Sequence, residues 1–257
     1  FGKENHIRTI SYQRGASSGI GQSGTLILNT TEYILIYAKS KNKTKINEVY
    51  NAFEIDFETM KRYNSILVKE GNKKLINSFI SKSNGEEVKV YKHENFKIEK
   101  ISLKNYEDNI KKIKEIYLQQ LNSIFRTTNP QSDFQQEIIN IITGDGLYSV
   151  EYIPSRGTKK GVKTTNYFVD RGLCAWLRDT SEIKENKVFK KERISDFWTH
   201  EEIPKADLAN EGGVSLRRGK KPEQLIKRII TMGTKENDIV LDYHLGSGTT
   251  CAVAHKM

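Results

Sequence analysis

Residues 239–250 decide the fold, and they read Ile239-Val240-Leu241-Asp242-Tyr243-His244-Leu245-Gly246-Ser247-Gly248-Thr249-Thr250. The apolar run 239–243 predicts a short buried strand, and the two glycines predict a tight turn after it. A helix is expected to follow over 251–257. Strand, glycine turn and helix in this order are typical of a doubly wound unit, so we predict an α/β fold with a Rossmann-like core.

The same turn is a candidate ligand site. Gly246 and Gly248 allow the backbone to approach a ligand, and the amino end of the following helix presents N–H groups to it. The turn does not match a phosphate-binding P-loop, because Thr249-Thr250 follow the second glycine without a Lys. Asp242 could hold backbone N–H groups of the loop or take part in the ligand site. A bare connection between strand and helix remains the structural alternative.

The remaining pattern alternates between strands and helices. We predict strands over 6–12 and 32–38, a mostly helical segment over 45–126, a helix over 131–143, strands within 147–178 and a helix that begins at Pro222 and ends at Gly233. We expect 239–243 to be a central parallel strand beside 32–38. The stretch 15–21 (GASSGIG) resembles a nicotinamide-binding turn, but the polar residues Gln13 and Arg14 precede it where a buried strand should end, and no helix pattern follows Gly21. A polar loop over 15–24 is the better interpretation.

The charge of the chain is compatible with nucleic acid as a partner. The 257 residues include 42 Lys and Arg against 32 Asp and Glu, which gives a net charge of +10 and a pI of about 9.3. Clustered cations attract phosphates, although a solvated surface is the plainer interpretation of any one cluster. Asn166 and Arg171, in the strands nearby, are candidate base readers. The candidate DNA-binding residues are Lys39, Lys41, Lys43, Lys45, Arg156, Lys159, Lys160 and Lys163.

Several classes of protein are excluded or disfavoured. No apolar run approaches the ~20 residues that span a bilayer. Two cysteines, Cys174 and Cys251, cannot form a disulfide framework, and the histidines lack metal-ligand spacing, so no metal site is expected. No signal peptide is visible, and a cytoplasmic location is expected. The chain starts at Phe1 without an initiator Met and stops at Met257 within a helix pattern, so we expect a fragment of a longer protein.

Four segments carry a resemblance to a known family. Residues 220–226 (KKPEQLI) and 241–250 (LDYHLGSGTT) resemble its K-P-x-x-L helix and its L-D-F-x-x-G-S-G-T-T turn. Residues 1–7 (FGKENHI) are similar to its F-G-x-E-N-F-I segment, and 31–39 (TEYILIYAK) to its H-E-Y-I-L-V-Y-A-K strand. The chain therefore resembles the modification (Mod) subunits of type III restriction-modification systems, which are DNA amino-methyltransferases of the permuted beta class.

The resemblance implies a function and a site. It implies transfer of a methyl group from S-adenosylmethionine to a flipped base, and adenine N6 is the expected target. It also implies three partners, which are double-stranded DNA, a restriction (Res) subunit and a second Mod subunit. Residues 1–44 and 196–257 would belong to the methyltransferase core, and 45–195 to an inserted α+β target-recognition region. The cofactor-binding residues implied are Lys221, Pro222, Asp242, Tyr243, Gly246, Ser247, Gly248, Thr249 and Thr250.

The chain also departs from the family pattern. The catalytic D-P-P-Y motif is not among the 257 residues, and the acidic residue that would contact the cofactor ribose is expected beyond Met257. We therefore expect no catalytic residue in this chain and no activity from it alone. Two alternatives remain open: a DNA- or RNA-binding module without enzymatic activity, and an inactive remnant. Binding of S-adenosylmethionine distinguishes the enzyme from the binding module.

Overall fold

The computed structural model describes residues 2–14, 29–203 and 220–257, and the predicted polar loop 15–24 lies outside them. The chain forms two compact units. The terminal unit comprises Phe1–Asn51 and Glu192–Met257, and the central unit comprises Ala52–Lys191. The described residues have a mixed α/β fold that includes one large sheet.

Strands outnumber helices in the described part of the chain. In chain order, the strands are β1 (His6–Gln13), β2 (Thr31–Tyr37), β3 (Tyr50–Glu54), β4 (Ser65–Lys69), β5 (Asn72–Ile80), β6 (Glu87–Glu94), β7 (Lys97–Lys100), β8 (Ile124–Thr128), β9 (Leu147–Tyr152), β10 (Thr164–Val169), β11 (Gly172–Trp176), β12 (Ser181–Lys184), β13 (Lys187–Arg193) and β14 (Phe197–Trp198). The α-helices are α1 (Phe57–Arg62), α2 (Tyr106–Gln120), α3 (Asp133–Ile141), α4 (Glu223–Gly233) and α5 (Thr249–Lys256).

The terminal unit is built on a small sheet in the order β14-β1-β2. β1 pairs antiparallel with β2 and parallel with β14. Its buried core combines Ile10 and Tyr12 of β1 with Trp198 and with Leu225 of α4. The amphipathic pattern of 222–233 places this apolar face of α4 against the sheet.

The central unit is an eight-stranded sheet in the order β5-β6-β9-β10-β11-β8-β4-β7. Every neighbouring pair in it is antiparallel. Side chains alternate between the two faces of a strand, so Ile124 of β8 and Phe168 of β10 lie on one face, where α2 and α3 pack. The opposite face carries Phe125 and Trp176. A third sheet, β12-β13-β3, contains both points at which the chain passes between the units.

Most locally determined elements are confirmed. The strands expected over 6–12 and 32–38 and the helix from Pro222 to Gly233 are present within one residue of their predicted ends. The helix within 131–143 is present, and Ser132 and Gln135 form a capping box at its start. The strands within 147–178 are present as β9, β10 and β11.

The mostly helical interpretation of 45–126 is wrong. This segment contains β3 to β8, and among its described residues only α1 and α2 are α-helices. In β6 the buried residues Val88 and Val90 alternate with Lys89, which is the period of a strand. β6 pairs with β9, almost 60 positions further along, and a window of sequence does not contain such a partner.

The central strand expected at 239–243 is also wrong. These residues form no strand and pair with no described strand, and the only described neighbour of β2 is β1. The side chain of Ile239 is 95% exposed and that of Leu241 77%. A central parallel strand is stabilised by neighbours on both edges and burial on both faces, and the described residues supply neither.

Candidate cofactor turn and nucleic-acid surfaces

The glycine turn leads directly into α5. Gly246 (φ 55°) and Gly248 (φ 70°) adopt left-handed backbone conformations, which favour glycine. The Gly248 N–H donates to the Leu245 carbonyl at 2.7 Å, and Gly248 is the N-cap of α5. The first N–H groups of a helix have no acceptor within it, so the start of α5 offers donors beside the turn.

The space around the two glycines is open. A Cβ atom added at Gly246 would have the His244 carbonyl oxygen, at 3.7 Å, as its nearest neighbour beyond the adjoining residues. A Cβ atom added at Gly248 would have Leu245 Cδ1 as its nearest, at 3.9 Å. Glycine is therefore required here by backbone conformation and not by packing within the chain. Ser247 Oγ and Thr249 Oγ1 lie 2.9 Å apart and connect the turn to the first residue of α5.

Asp242 stabilises the turn and is not a buried acid. Its Oδ1 accepts the backbone N–H of His244 at 3.0 Å. A hydrogen bond from the Thr250 side chain, together with this backbone N–H, lowers the pKa of the Asp242 carboxyl. The carboxylate thus connects the segment before the turn with the first residues of α5.

The apolar segment before the turn is exposed. Ile239, Leu241, Tyr243 and Leu245 are all at least 59% exposed. The Tyr243 ring makes an edge contact with the neighbouring His244 ring, with centroids 5.8 Å apart. Tyr243, an implied cofactor residue, is therefore accessible.

The start of α4 is tied to β2 and to α5. Lys221 Nζ lies 2.6 Å from Glu32 Oε2, and Arg14 lies 3.6 Å from the other oxygen of the same carboxylate. Pro222 is buried at the N-cap position of α4. Glu223, in the first turn of α4, accepts from Lys256 at the end of α5, at 2.6 and 2.8 Å.

Sequence reasoning missed the role of Glu32. This residue lies 189 positions from Lys221, and no spacing rule connects them. Opposite Glu32 in the sheet is Tyr12, whose hydroxyl is buried and has no hydrogen-bond partner among the described residues. Burial, and then the Glu32 carboxylate, raise the pKa of Tyr12. An acidic residue in an otherwise apolar strand was the only signal available.

The first basic cluster lies in the terminal unit. Lys39, Lys41, Lys43 and Lys45 are exposed, and the short 3-10 helix Lys41–Lys43 carries two of them. The backbone N–H of Lys41 donates to the Asn5 side chain at 3.3 Å. Among the residues that the structure describes, no carboxylate forms an ion pair with these four lysines.

The second basic cluster lies in the loop between β9 and β10, in the central unit. Gly157 and Gly161 adopt positive φ angles, and the Gly161 N–H donates to the Pro154 carbonyl at 2.9 Å. The loop therefore has its own hydrogen bonds. Lys163 pairs with Glu151 at 3.0 Å, although its side chain is 72% exposed. Arg156, Lys159 and Lys160 are exposed and pair with no described carboxylate.

The two candidate base readers differ. The Asn166 amide donates to the Tyr152 hydroxyl at 3.1 Å, on the sheet face that α3 covers. Arg171 is exposed. Within residues 2–14, 29–203 and 220–257, no group of three or more His, Cys, Asp or Glu side chains is placed so that it could hold a metal ion. Within the same ranges, no helix has the length and apolar character to cross a membrane.

Comparisons with known proteins agree on one family. A family model described as DNA methylase matches residues 8–257. The probable type III restriction-modification enzyme HindVI Mod subunit of Haemophilus influenzae is 33% identical over 273 residues, covering 100% of this chain and 35% of that protein. This confirms the resemblance to Mod subunits.

Two type II methyltransferases match shorter segments. M2.LlaDCHI of Lactococcus lactis subsp. cremoris is 38% identical over 65 residues, which is 25% of this chain and 23% of that protein. M2.DpnII of Streptococcus pneumoniae is 31% identical over 99 residues, 38% of this chain and 31% of that protein. No solved structure matches significantly.

The chain spans about a third or less of the length of these relatives. The family model nevertheless extends over nearly every residue, from β1 through both basic clusters to the glycine turn and α5. This protein belongs to the DNA methylase family.

Proposed function

We propose that this protein is part of a site-specific DNA methyltransferase of a type III restriction-modification system, which transfers a methyl group from S-adenosylmethionine to adenine N6. The observation that carries the proposal is the turn Gly246-Ser247-Gly248, whose two left-handed glycines open onto the amino end of α5. Membership of the DNA methylase family and the similarity to a Mod subunit support it. A DNA methylase requires a methyl donor, and S-adenosylmethionine is the donor we propose.

The residues at the turn fit the polar end of such a cofactor. The space beside Gly246 and Gly248 is free of chain atoms where Cβ atoms would be, and the first N–H groups of α5 can bind a carboxylate. Ser247, Thr249 and Thr250 add hydroxyl groups at the same place. Asp242 and Tyr243 would complete the site, and Lys221 and Pro222 would support it from the start of α4.

The chemistry is a single displacement. Held beside Gly246, Ser247 and Gly248, the cofactor would supply an activated methyl group, and its transfer from sulfur to the exocyclic nitrogen would leave S-adenosylhomocysteine and a proton. The part of this chain is to hold the methyl donor in position, and positioning alone contributes greatly to such transfers. The target base must leave the duplex stack to reach the donor.

The two units suggest separate roles in cofactor binding and in DNA recognition. We assign methyltransferase-core roles to residues 1–44 and 196–257, as a partial Rossmann-like core, and target recognition to the inserted region 45–195. The separation of the chain into Phe1–Asn51 with Glu192–Met257 and Ala52–Lys191 supports this assignment. So does the parallel pairing of β1 with β14.

The basic clusters would bind the DNA backbone. Lys39, Lys41, Lys43 and Lys45, and the loop residues Arg156, Lys159, Lys160 and Lys163, are exposed cations that phosphates would attract. Double-stranded DNA is the proposed substrate, and a Res subunit and a second Mod subunit are the proposed protein partners. The name of the Haemophilus relative, a type III Mod subunit, supports these partners.

Two measurements test the function. Isothermal titration of S-adenosylmethionine into the protein should show saturable binding. DNA from cells that express the complete methyltransferase, of which this chain is proposed to be part, should contain N6-methyladenine at one short sequence, measured by nucleoside mass spectrometry and sequencing. N4-methylcytosine instead would correct the target base. Binding of DNA without binding of S-adenosylmethionine would favour the binding module over the enzyme.

A further inference from the structure

The turn between β10 and β11 has an unusual composition for its conformation. The strands pair Val169 with Gly172, so Asp170 and Arg171 alone form the turn. Both adopt left-handed conformations, with φ angles of 47° and 67°. Two-residue turns of this kind favour Asn-Gly or Gly-Gly, because a Cβ atom crowds the backbone at positive φ. An arginine at the second position therefore costs stability.

Contacts of Asp170 hold the turn in place. Asp170 Oδ1 accepts the N–H of Gly146 at 2.8 Å, and the Asp170 N–H donates to the Gly146 carbonyl at 3.1 Å. On the other side, a Cβ atom added at Gly172 would lie 2.9 Å from Thr127 Cβ, so this strand start is packed closely against β8. The direction in which residue 171 projects is thereby fixed.

The fold itself does not account for Arg171. Its side chain is exposed, and it makes no hydrogen bond, ion pair or ring contact with any described residue. Residues in strained conformations that the surrounding structure imposes are found preferentially at functional sites. The guanidinium is therefore available to a partner outside this chain.

The groove beside the turn has the chemistry of a base reader. Arg171 lines an open groove of about 570 Å³ together with Thr127 and Asn129. Thr127 and Asn129 are also exposed, and their side chains have no hydrogen-bond partner among the described residues. Lys100, in the same groove, is already engaged, since its Nζ donates to Ser65 Oγ at 2.7 Å. Three side chains able to contact base edges are thus available together.

We propose that Arg171 contacts a guanine in the major groove of the DNA that this protein binds, and that Thr127 and Asn129 face the adjacent base pairs. The guanidinium presents two parallel N–H groups that match guanine O6 and N7, and Asn pairs in the same way with adenine. The inference rests on the proposed function, because it names the reading residue of a DNA-binding protein.

A base edge explains this site better than a phosphate does. The Asp170 carboxylate adjoins Arg171 and would repel a phosphate, and Thr127 and Asn129 are uncharged. The cations of the 153–163 loop lie at the other end of β10, about 17 Å away along the strand. Phosphate contacts at that loop and base contacts at the turn are therefore separate tasks.

The test compares three variants with the wild-type protein. Arg171→Gly removes the side chain and relieves the strained turn. Arg171→Lys keeps the charge but lacks the paired N–H groups. Asn186→Gly is the control, since it also introduces glycine at the second position of a two-residue turn, here between β12 and β13, where Glu185 and Asn186 have φ angles of 47° and 59°.

Each protein selects binding sites from a randomised duplex library, and the bound DNA is sequenced. The wild type and Asn186→Gly should enrich one motif that includes an invariant guanine. Arg171→Gly and Arg171→Lys should lose preference at that one position, by roughly 5- to 150-fold, and keep the others. Thermal unfolding of Arg171→Gly at or above the wild-type temperature excludes a folding defect as the cause.

Other outcomes overturn the inference. An unchanged motif in both Arg171 variants shows that Arg171 reads no base. Uniform weakening of all sequences, which Arg171→Lys restores, identifies a phosphate contact instead. If the wild type binds no duplex at all, the proposed function fails, whereas specific binding with an unchanged motif leaves that function intact and refutes only the role of Arg171.

Discussion

Gly248 has both the backbone conformation and the open surroundings that distinguish the glycine turn. Its φ of 70° disfavours other residues, and its missing Cβ leaves open space beside the amino end of α5. Packing within the chain does not require glycine there, and the open space is where the proposed cofactor would bind.

At this residue, Gly248→Val should abolish binding of S-adenosylmethionine, because a branched side chain is strained at positive φ and fills the space for the ligand. Gly248→Asn tolerates the conformation and should also weaken binding, which separates steric exclusion from strain. Gly233→Ala, at the end of α4 with no atom within 4 Å of the new Cβ, is the control. Calorimetric titration measures all three, and wild-type affinity in a folded Gly248→Val protein would refute the site.

Two buried tyrosines of the central unit allow a matched comparison of stability. The Tyr117 hydroxyl donates to the carbonyls of Met60 and Tyr63, both at 2.8 Å, whereas the buried Tyr148 hydroxyl has no partner among the described residues. Tyr117→Phe should lower the free energy of unfolding by about 1–2 kcal/mol, and Tyr148→Phe should leave it equal or higher. Urea unfolding measures both, and equal effects would contradict the assigned hydrogen bonds.

At the scale of elements, the loop between β9 and β10 should supply phosphate contacts. Each phosphate that a cation neutralises contributes about −0.9 to the slope of log affinity against log salt. Replacing Arg156, Lys159, Lys160 and Lys163 with Ala should flatten this slope and weaken all sequences alike. Lys163 should contribute least, because Glu151 already neutralises part of its charge.

A charge-matched control separates this loop from general attraction. Lys184, Lys187 and Lys191 form ion pairs with Glu182 and Glu54 elsewhere in the central unit. Their triple Ala variant should change the slope less than the variant Arg156→Ala, Lys159→Ala, Lys160→Ala, although both lose three charges. Fluorescence anisotropy at several salt concentrations gives the slopes. Equal slopes would identify the loop as ordinary solvated surface.

The elements also show what a sequence reveals and what it does not. The end of α4 at Gly233 and the glycines before α5 follow from local chemistry, and both were predictable. The strands β4 to β7 were not, because partners far along the chain or in adjacent hairpins decide their pairing. The contact of Lys221 with Glu32 has the same character, since only the folded chain brings these residues together.

At the scale of the whole molecule, the central unit is a continuous segment with its own core. We expect residues 52–191, expressed alone, to fold and to unfold cooperatively in urea, because three core clusters and all eight strands of the large sheet lie within them. Circular dichroism and amide exchange measure this. A non-cooperative transition would show that the terminal unit is needed to stabilise the sheet.

The stability of the folded protein should decline at acid pH, because ion-paired carboxylates become protonated. Hydrogen bonds from Lys73 and Lys163 lower the pKa of Glu151 below its ordinary value of 4.5, and hydrogen bonds from Lys114 and Lys187 do the same for Glu54. A folded pKa below the unfolded one adds stability that is complete above pH 4.5 and is lost as the pH falls through the folded pKa. Glu151→Gln should therefore flatten the decline of stability below pH 4.5, measured by urea unfolding. A decline equal to that of the wild type would contradict the assigned ion pairs.

The exposed run from Ile239 to Leu245 should promote association of this protein with itself. Alternating large apolar side chains on backbone that belongs to no strand are a template for intermolecular strands, and Asp242 is the one acidic residue that interrupts them. At low ionic strength the net charge of +10 keeps the molecules apart. Added salt screens that repulsion, so the salt that weakens attraction to phosphates should also bring copies of this chain together. Light scattering of Leu241→Ser, which keeps the net charge and removes an exposed apolar side chain, should show later association than the wild type in rising salt.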